Sequence, residues 1–142
     1  MRALLDVNVL IALLDKKHVH HKMAGIWFAA HGSSGWASCP LTQNGVIRIM
    51  SNTKYTNPQP LAEVRQKVSD MCNTPAHVFW KDDVSFLDTT VFDQNVIVKG
   101  KHITDVYLLA LAVKNKGCFV TFDRKFPTNC VKGYQSKNLF EL

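Results

Sequence analysis

Apolar residues fall along the chain in short blocks whose period changes from block to block. Ala3, Leu4 and Leu5 form a run that stops at Asp6, which predicts a short buried strand. Asn8 is suited to capping a helix, and residues 9–14 continue as an apolar helical segment. Within 20–32, Ala24, Trp27, Phe28 and His31 keep the i, i+3, i+4, i+7 spacing of one helix face, and 32–35 reads as a turn. Residues 36–39 predict a second strand, stopped by Pro40. Thr42 is a cap candidate for a third helix reaching about Met50. The stretch 52–60 is polar, with two prolines, and reads as a loop. A fourth helix over 61–72 puts Leu61, Val64, Val68, Met71 and Cys72 on one face, and 76–80 predicts a third strand.

Residues 82–102 carry isolated apolar positions among Asp88, Asp93, Asn95 and Gly100, which predicts turns or a brief helix. The clearest element follows. Thr104 is its expected N-cap, Asp105 lies in its first turn, and Val106, Leu109, Ala110 and Val113 form one face. Gly117 is the expected C′ residue. Residues 118–121 predict a strand with Asp123 just beyond it, and 138–142 a last edge strand. The alternation of strands and helices predicts an α/β fold with a mainly parallel central sheet of four to five strands, in one domain over 1–142.

The few acids matter because the chain is basic. It has 17 Lys and Arg against 11 Asp and Glu, a net charge of +6, which suits a polyanionic partner. In parallel α/β sheets, ligands bind beyond the carboxyl ends of the strands. Asp6 and Asp123 fall at such ends, while Asp105 and Gln43 fall near helix starts, so all four are expected in one crevice. Clustered carboxylates repel one another unless a cation joins them. An all-oxygen donor set favours Mg²⁺ or Mn²⁺, which assists phosphodiester hydrolysis. Asp105 alone is better explained by a helix dipole, and Asp123 equally well by a turn. Asp6 is harder to explain structurally, because it interrupts an apolar run.

The stretches LLDVNVLIALL, ITDVYLLALAVKNKG and VTFDRKF resemble the motifs of PIN-domain ribonucleases, and most closely those of the VapC toxins of bacterial type II toxin–antitoxin pairs. HVHHKMAGIWF, CPLTQNGVIRI and FWKDDVSFLD extend the resemblance over nearly the whole chain. It implies a PIN-like three-layer α/β/α fold and a metal-dependent endoribonuclease acting on single-stranded regions of RNA such as tRNA or rRNA. It also implies a homodimer, a neutralising antitoxin, and binding to operator DNA only through that antitoxin. The family's first, third and fourth acids fall on Asp6, Asp105 and Asp123, as catalytic and metal-binding residues. Its second, usually Glu in a pattern like LTENG, falls on Gln43. A glutamine there cannot supply charge, which leaves two expectations open: a weakened or inactive form, or activity through a metal held by the other three acids. The rival reading is a non-catalytic PIN module that binds RNA or an antitoxin.

Around these residues, Asn8 reads as an N-cap or as a group orienting Asp6, and Thr121 as a strand residue or a hydrogen-bond partner of a carboxylate. Arg48 and Arg124 are the expected RNA contacts, with Lys101, His102 and Lys125 as further candidates. His18, His20 and His21 read as structural, and Trp27, Phe28, Trp36, Phe79 and Trp80 as core. Cysteines 39, 72, 118 and 130 lack CxxC spacing and read as free thiols. No apolar run nears membrane-spanning length, and Asp6 and Asn8 break the N-terminal run. The expectation is a cytoplasmic protein without a signal peptide.

Overall fold

The computed structural model describes residues 1–123 and 125–142. Five strands, β1 (Ala3–Leu5), β2 (Trp36–Ser38), β3 (His77–Phe79), β4 (Cys118–Thr121) and β5 (Leu139–Glu141), form one sheet. Its order is β3-β2-β1-β4-β5, and every pairing is parallel. The helices are α1 (Val7–Leu14), α2 (His21–His31), α3 (Pro40–Met50), α4 (Leu61–Cys72) and α5 (Ile103–Lys114).

Strand alternation sends side chains to two cores. Leu4, Ala37 and Phe119 pack with α5 and with Val84, Phe92 and Val96 of the 82–102 segment. Leu5, Trp36 and Val120 pack on the other face with residues of α1, α3 and α4. The result is a sheet between two helical layers. Five parallel strands answer the expected four to five. The 82–102 segment is held by turns, a single bridge between Phe92 and Val131, and a 3₁₀ turn at Gly100–His102. Among the described residues, no helix is long and apolar enough to cross a membrane.

The helix ends differ from the sequence reading in four places. Asp6, not Asn8, caps α1, with its carboxylate accepting from Val7 N–H at 2.7 Å. Pro40 both stops β2 and opens α3, since its fixed φ and missing N–H suit a first helical position. Thr42 is therefore inside the first turn, where its hydroxyl accepts from Cys39 N–H at 3.0 Å. Helix α5 starts at Ile103 rather than after Thr104, because the 3₁₀ turn runs straight into it. At its far end Lys116, not Gly117, takes the left-handed conformation, with φ 55°. Lys116 N–H bonds Val113 C=O and Gly117 N–H bonds Ala112 C=O, the paired closure of a Schellman turn. Glycine is needed at 117 for space: a Cβ there would lie 2.6 Å from the Trp80 ring and 2.7 Å from Arg2 C=O.

Candidate metal and nucleic-acid site

The parallel sheet brings the ends of β1 and β4 side by side, with Leu5 opposite Val120. Asp6 and Asp123 follow these strands, and the first turn of α5 lies over the same edge. Carboxylate oxygens of Asp6, Asp105 and Asp123 lie within 4.8 Å of one another. Asp6 is 4% exposed and Asp105 9% exposed, while Asp123 faces solvent. The Thr121 hydroxyl donates to Asp6 Oδ2 at 2.7 Å and accepts from Asp123 N–H at 3.0 Å, so it ties the two acids to one frame.

Burial pushes Asp6 up to about 6 from the ordinary carboxylate value of 3.8. The Thr121 and Val7 hydrogen bonds oppose this rise, and the charges of Asp105 and Asp123 add to it. Burial, then repulsion from Asp123, raises Asp105 to about 6 as well. A cluster whose members resist ionisation beside one another is what a divalent cation would relieve. Three hard oxygen donors, converging without a thiol or imidazole among them, fit Mg²⁺ or Mn²⁺. Among the described residues this is the one group of three or more such side chains placed to share an ion.

The acids line a cavity of about 500 Å³ together with Asn8, Leu41, Asn44, Gly45, Arg48 and Lys101. A second cavity shares Asp105 and Asp123 and is walled by Lys99, Lys101, His102 and Lys125. Among the described residues, neither Arg48 nor Lys101 forms an ion pair; the single pair found joins Lys114 and Asp83. Arg124, the other expected RNA contact, lies outside the described residues.

Gln43 is not in this cavity. Its amide donates to Ser38 Oγ at 2.9 Å and contacts Cys72 Sγ at 3.8 Å. It lines a separate depression with Ile47, Arg65 and Cys72 against α4. The reason is helix phase. Leu41, Asn44, Gly45 and Arg48 share the face of α3 turned to the acids, and at 3.6 residues per turn position 43 lies on the opposite face. The expected four-part crevice is thus three aspartates, with Asn44 on the wall where Gln43 was placed.

Two residues escaped the sequence reading. One is Asn44; starting the helical wheel of α3 at Pro40 would have found it. The other is Asp82, which accepts from Leu41 N–H at 2.9 Å and from Tyr107 O–H at 3.0 Å. It links the start of α3 to α5, the two walls of the cavity, over a sequence distance no local pattern reveals. His18, His20 and His21, expected to be structural, each have a partner within the fold. His21 Nδ1 meets Ala12 C=O at 2.7 Å, His20 packs on Phe122, and His18 Nδ1 accepts from His20 N–H. Trp36 and Trp80 are buried, Trp27 and Phe28 half-buried, and Phe79, expected in the core, is 50% exposed on edge strand β3.

No protein-family model matches the chain. It is 44% identical over 142 residues to ribonuclease VapC44 of Mycobacterium tuberculosis, covering all of both proteins. It is 41% identical over 125 residues to ribonuclease VapC39 of the same organism, covering 87% of this chain and 89% of that one. The fold matches a chain in the crystal structure of VapBC2 from Rickettsia felis bound to a DNA fragment from their promoter. The TM-score is 0.66 at 11% identity, over 100% of this chain and 99% of that one, a likeness of fold. Identity of this degree along the full length means that the chain belongs to the VapC ribonuclease family.

Proposed function

We propose that the chain is a divalent-metal-dependent endoribonuclease toxin, a single PIN domain over 1–142, that cuts structured RNA such as tRNA or rRNA in single-stranded regions. The observation that carries this reading is the convergence of Asp6, Asp105 and Asp123 to within 4.8 Å, two of them raised to about 6. These three carboxylates hold Mg²⁺ or Mn²⁺, which when bound activates water and neutralises charge on a scissile phosphate. Thr121 fixes the orientation of Asp6 and the backbone of Asp123. Asn8, exposed on the first turn of α1, contributes to the cavity wall. Arg48 and the lysines at 99, 101 and 125 receive the flanking phosphates.

A cognate antitoxin, and operator DNA bound through it, follow from family membership. An exposed stripe on and just before α2, Val19, Met23 and Ile26, supports a protein contact such as a homodimer. Four cysteines without a disulfide support the cytoplasm. The rival non-catalytic reading leaned on Gln43. That residue lines a separate depression, which supports a carboxylate set whose charge does not depend on it.

The test is cleavage of total tRNA and rRNA with Mg²⁺ or Mn²⁺. The unaltered protein is expected to cut, EDTA to stop it, and Asp123→Asn to reduce the rate at least about 100-fold, since an exposed carboxylate is removed without disturbing the core. A folded protein that neither cuts RNA nor binds Mn²⁺ would overturn the proposal.

A further inference from the structure

Helix α3 raises a question the family pattern does not answer: which of its side chains meets the ion. The pattern points to position 43, and the geometry points elsewhere. Resting on the reading above, we propose that Asn44 is the ion-facing residue of α3 and that Gln43 is a packing residue with no part in metal binding.

Three observations carry this. Asn44 lines the cavity that holds Asp6, Asp105 and Asp123, whereas Gln43 lines a different one. Gln43 is also committed, its amide hydrogen-bonded to the buried Ser38 hydroxyl, which in turn meets His77 Nε2 at 2.8 Å. No described residue hydrogen-bonds the Asn44 side chain, which is exposed at the cavity wall. The third observation is the approach of the helices. A Cβ on Gly45 would stand 2.7 Å from Val7 Cγ2, so α3 lies hard against the start of α1 at this point. Val7 follows Asp6 directly, and Asn44 precedes Gly45. The close contact therefore sets the backbone at Asn44 beside the start of α1, on the cavity that Asp6 also lines. An amide oxygen is a hard, neutral donor, suited to Mg²⁺ or Mn²⁺ directly or through water. It leaves the site with three formal charges and room for tuning at position 44.

The experiment is calorimetric titration of Mn²⁺ at pH 7.5 into the unaltered protein, Asn44→Asp, Asn44→Ala and Gln43→Glu, with melting temperatures measured in EDTA. Asn44 is exposed, so its variants are expected to stay folded. Asn44→Asp adds a fourth carboxylate and is expected to tighten Mn²⁺ at least about 10-fold, because ligand charge sets affinity at such sites. Asn44→Ala is expected to weaken it several-fold. Gln43→Glu is expected to leave Mn²⁺ affinity within about twofold and to lower the melting temperature, since it places a carboxylate beside Ser38 and Cys72. Tighter binding in Gln43→Glu overturns the inference, and so does unchanged affinity in both Asn44 variants. Absence of Mn²⁺ binding in all four folded proteins overturns the proposed function instead, which keeps the two failures distinct.

Discussion

At the scale of single residues, the acids of this chain pull stability in opposite directions with pH. Asp6 and Asp105 hold their protons up to about pH 6 in the folded protein, against 3.8 for an ordinary carboxylate. Between these values the unfolded chain has lost protons that the folded one keeps, so folding takes up protons and stability falls as pH rises. Asp15 does the reverse. It is 1% exposed, and burial alone would raise its pKa. The Tyr55 hydroxyl, the Asn57 amide at 2.9 Å and the Lys17 N–H at 3.0 Å outweigh burial and hold it below the usual range. Its contribution is present above about pH 4 and is lost as pH falls through its lowered value. Metal-free protein is therefore expected to be most stable near pH 4–5 and to lose roughly 5–10 °C of melting temperature by pH 7.5. Saturating Mn²⁺ is expected to restore most of that loss at pH 7.5 and little at pH 5. Calorimetric melts from pH 3 to 8, with EDTA and with Mn²⁺, check both signs. A flat profile above pH 4 in EDTA would mean that burial, with the repulsion it adds to, does not raise these two acids. Asp6 was legible in sequence because an acid interrupting an apolar run needs a reason. Gln43 misled because a motif letter gives a position in the chain but not a phase on a helix.

At the scale of elements, what could be read was what is local. Helix α4 and strand β4 fall on their predicted residues because apolar spacing and flanking polar residues determine both. The cap of α1 could not be read, since Asp6 must leave the strand, start the helix and face the cavity at once, and only the pairing of β1 with β4 sets that geometry. The same holds for Asp82, whose two partners lie 41 and 25 residues away. By bonding Leu41 N–H it supplies a donor at the start of α3 with a partner and places negative charge at that helix's positive end. By bonding Tyr107 it fastens that end to α5, two residues after Asp105. Asp82→Ala is expected to cost roughly 1 kcal/mol of stability, small because the carboxylate is exposed. It is also expected to weaken Mn²⁺ binding several-fold by loosening the two walls that carry Asn44 and Asp105. Tyr107→Phe removes one of the two bonds and should show a smaller version of both effects. Urea melts paired with Mn²⁺ titration separate the outcomes: a loss of stability with unchanged metal affinity would limit Asp82 to capping.

At the scale of the whole molecule, the charge excess and the acidic cluster belong to one arrangement. The net charge of +6 was visible in composition, and a mainly parallel sheet followed from the alternation of blocks, whereas the order β3-β2-β1-β4-β5 emerges only in the fold. Lys101 and Lys125 were already candidates in the sequence, but Lys99, and the gathering of all three at one cavity, were not visible. Lys99 and Lys101 come from the irregular approach to α5, and Lys125 from the turn after β4, segments without periodicity. Folding sets them beside Asp105 and Asp123, so positive charge rims the place where three carboxylates converge. An RNA strand crossing that rim would place flanking phosphates on the lysines and one phosphate over the acids. Release of counterions from about three phosphates gives a slope near −2 in log affinity against log salt. Binding of a labelled single-stranded 12-mer RNA to the Asp123→Asn protein is thus expected to weaken roughly 20-fold between 50 and 200 mM KCl. Lys101, which lines both cavities, should account for one of these contacts. Lys101→Ala is expected to reduce the slope by about 0.7, whereas Lys67→Ala, on α4 and bonded to Gln59, should leave it unchanged. Fluorescence anisotropy across the salt series measures both slopes. If the two substitutions behave alike, the rim is not where RNA lies, and the positive charge acts only as a diffuse field.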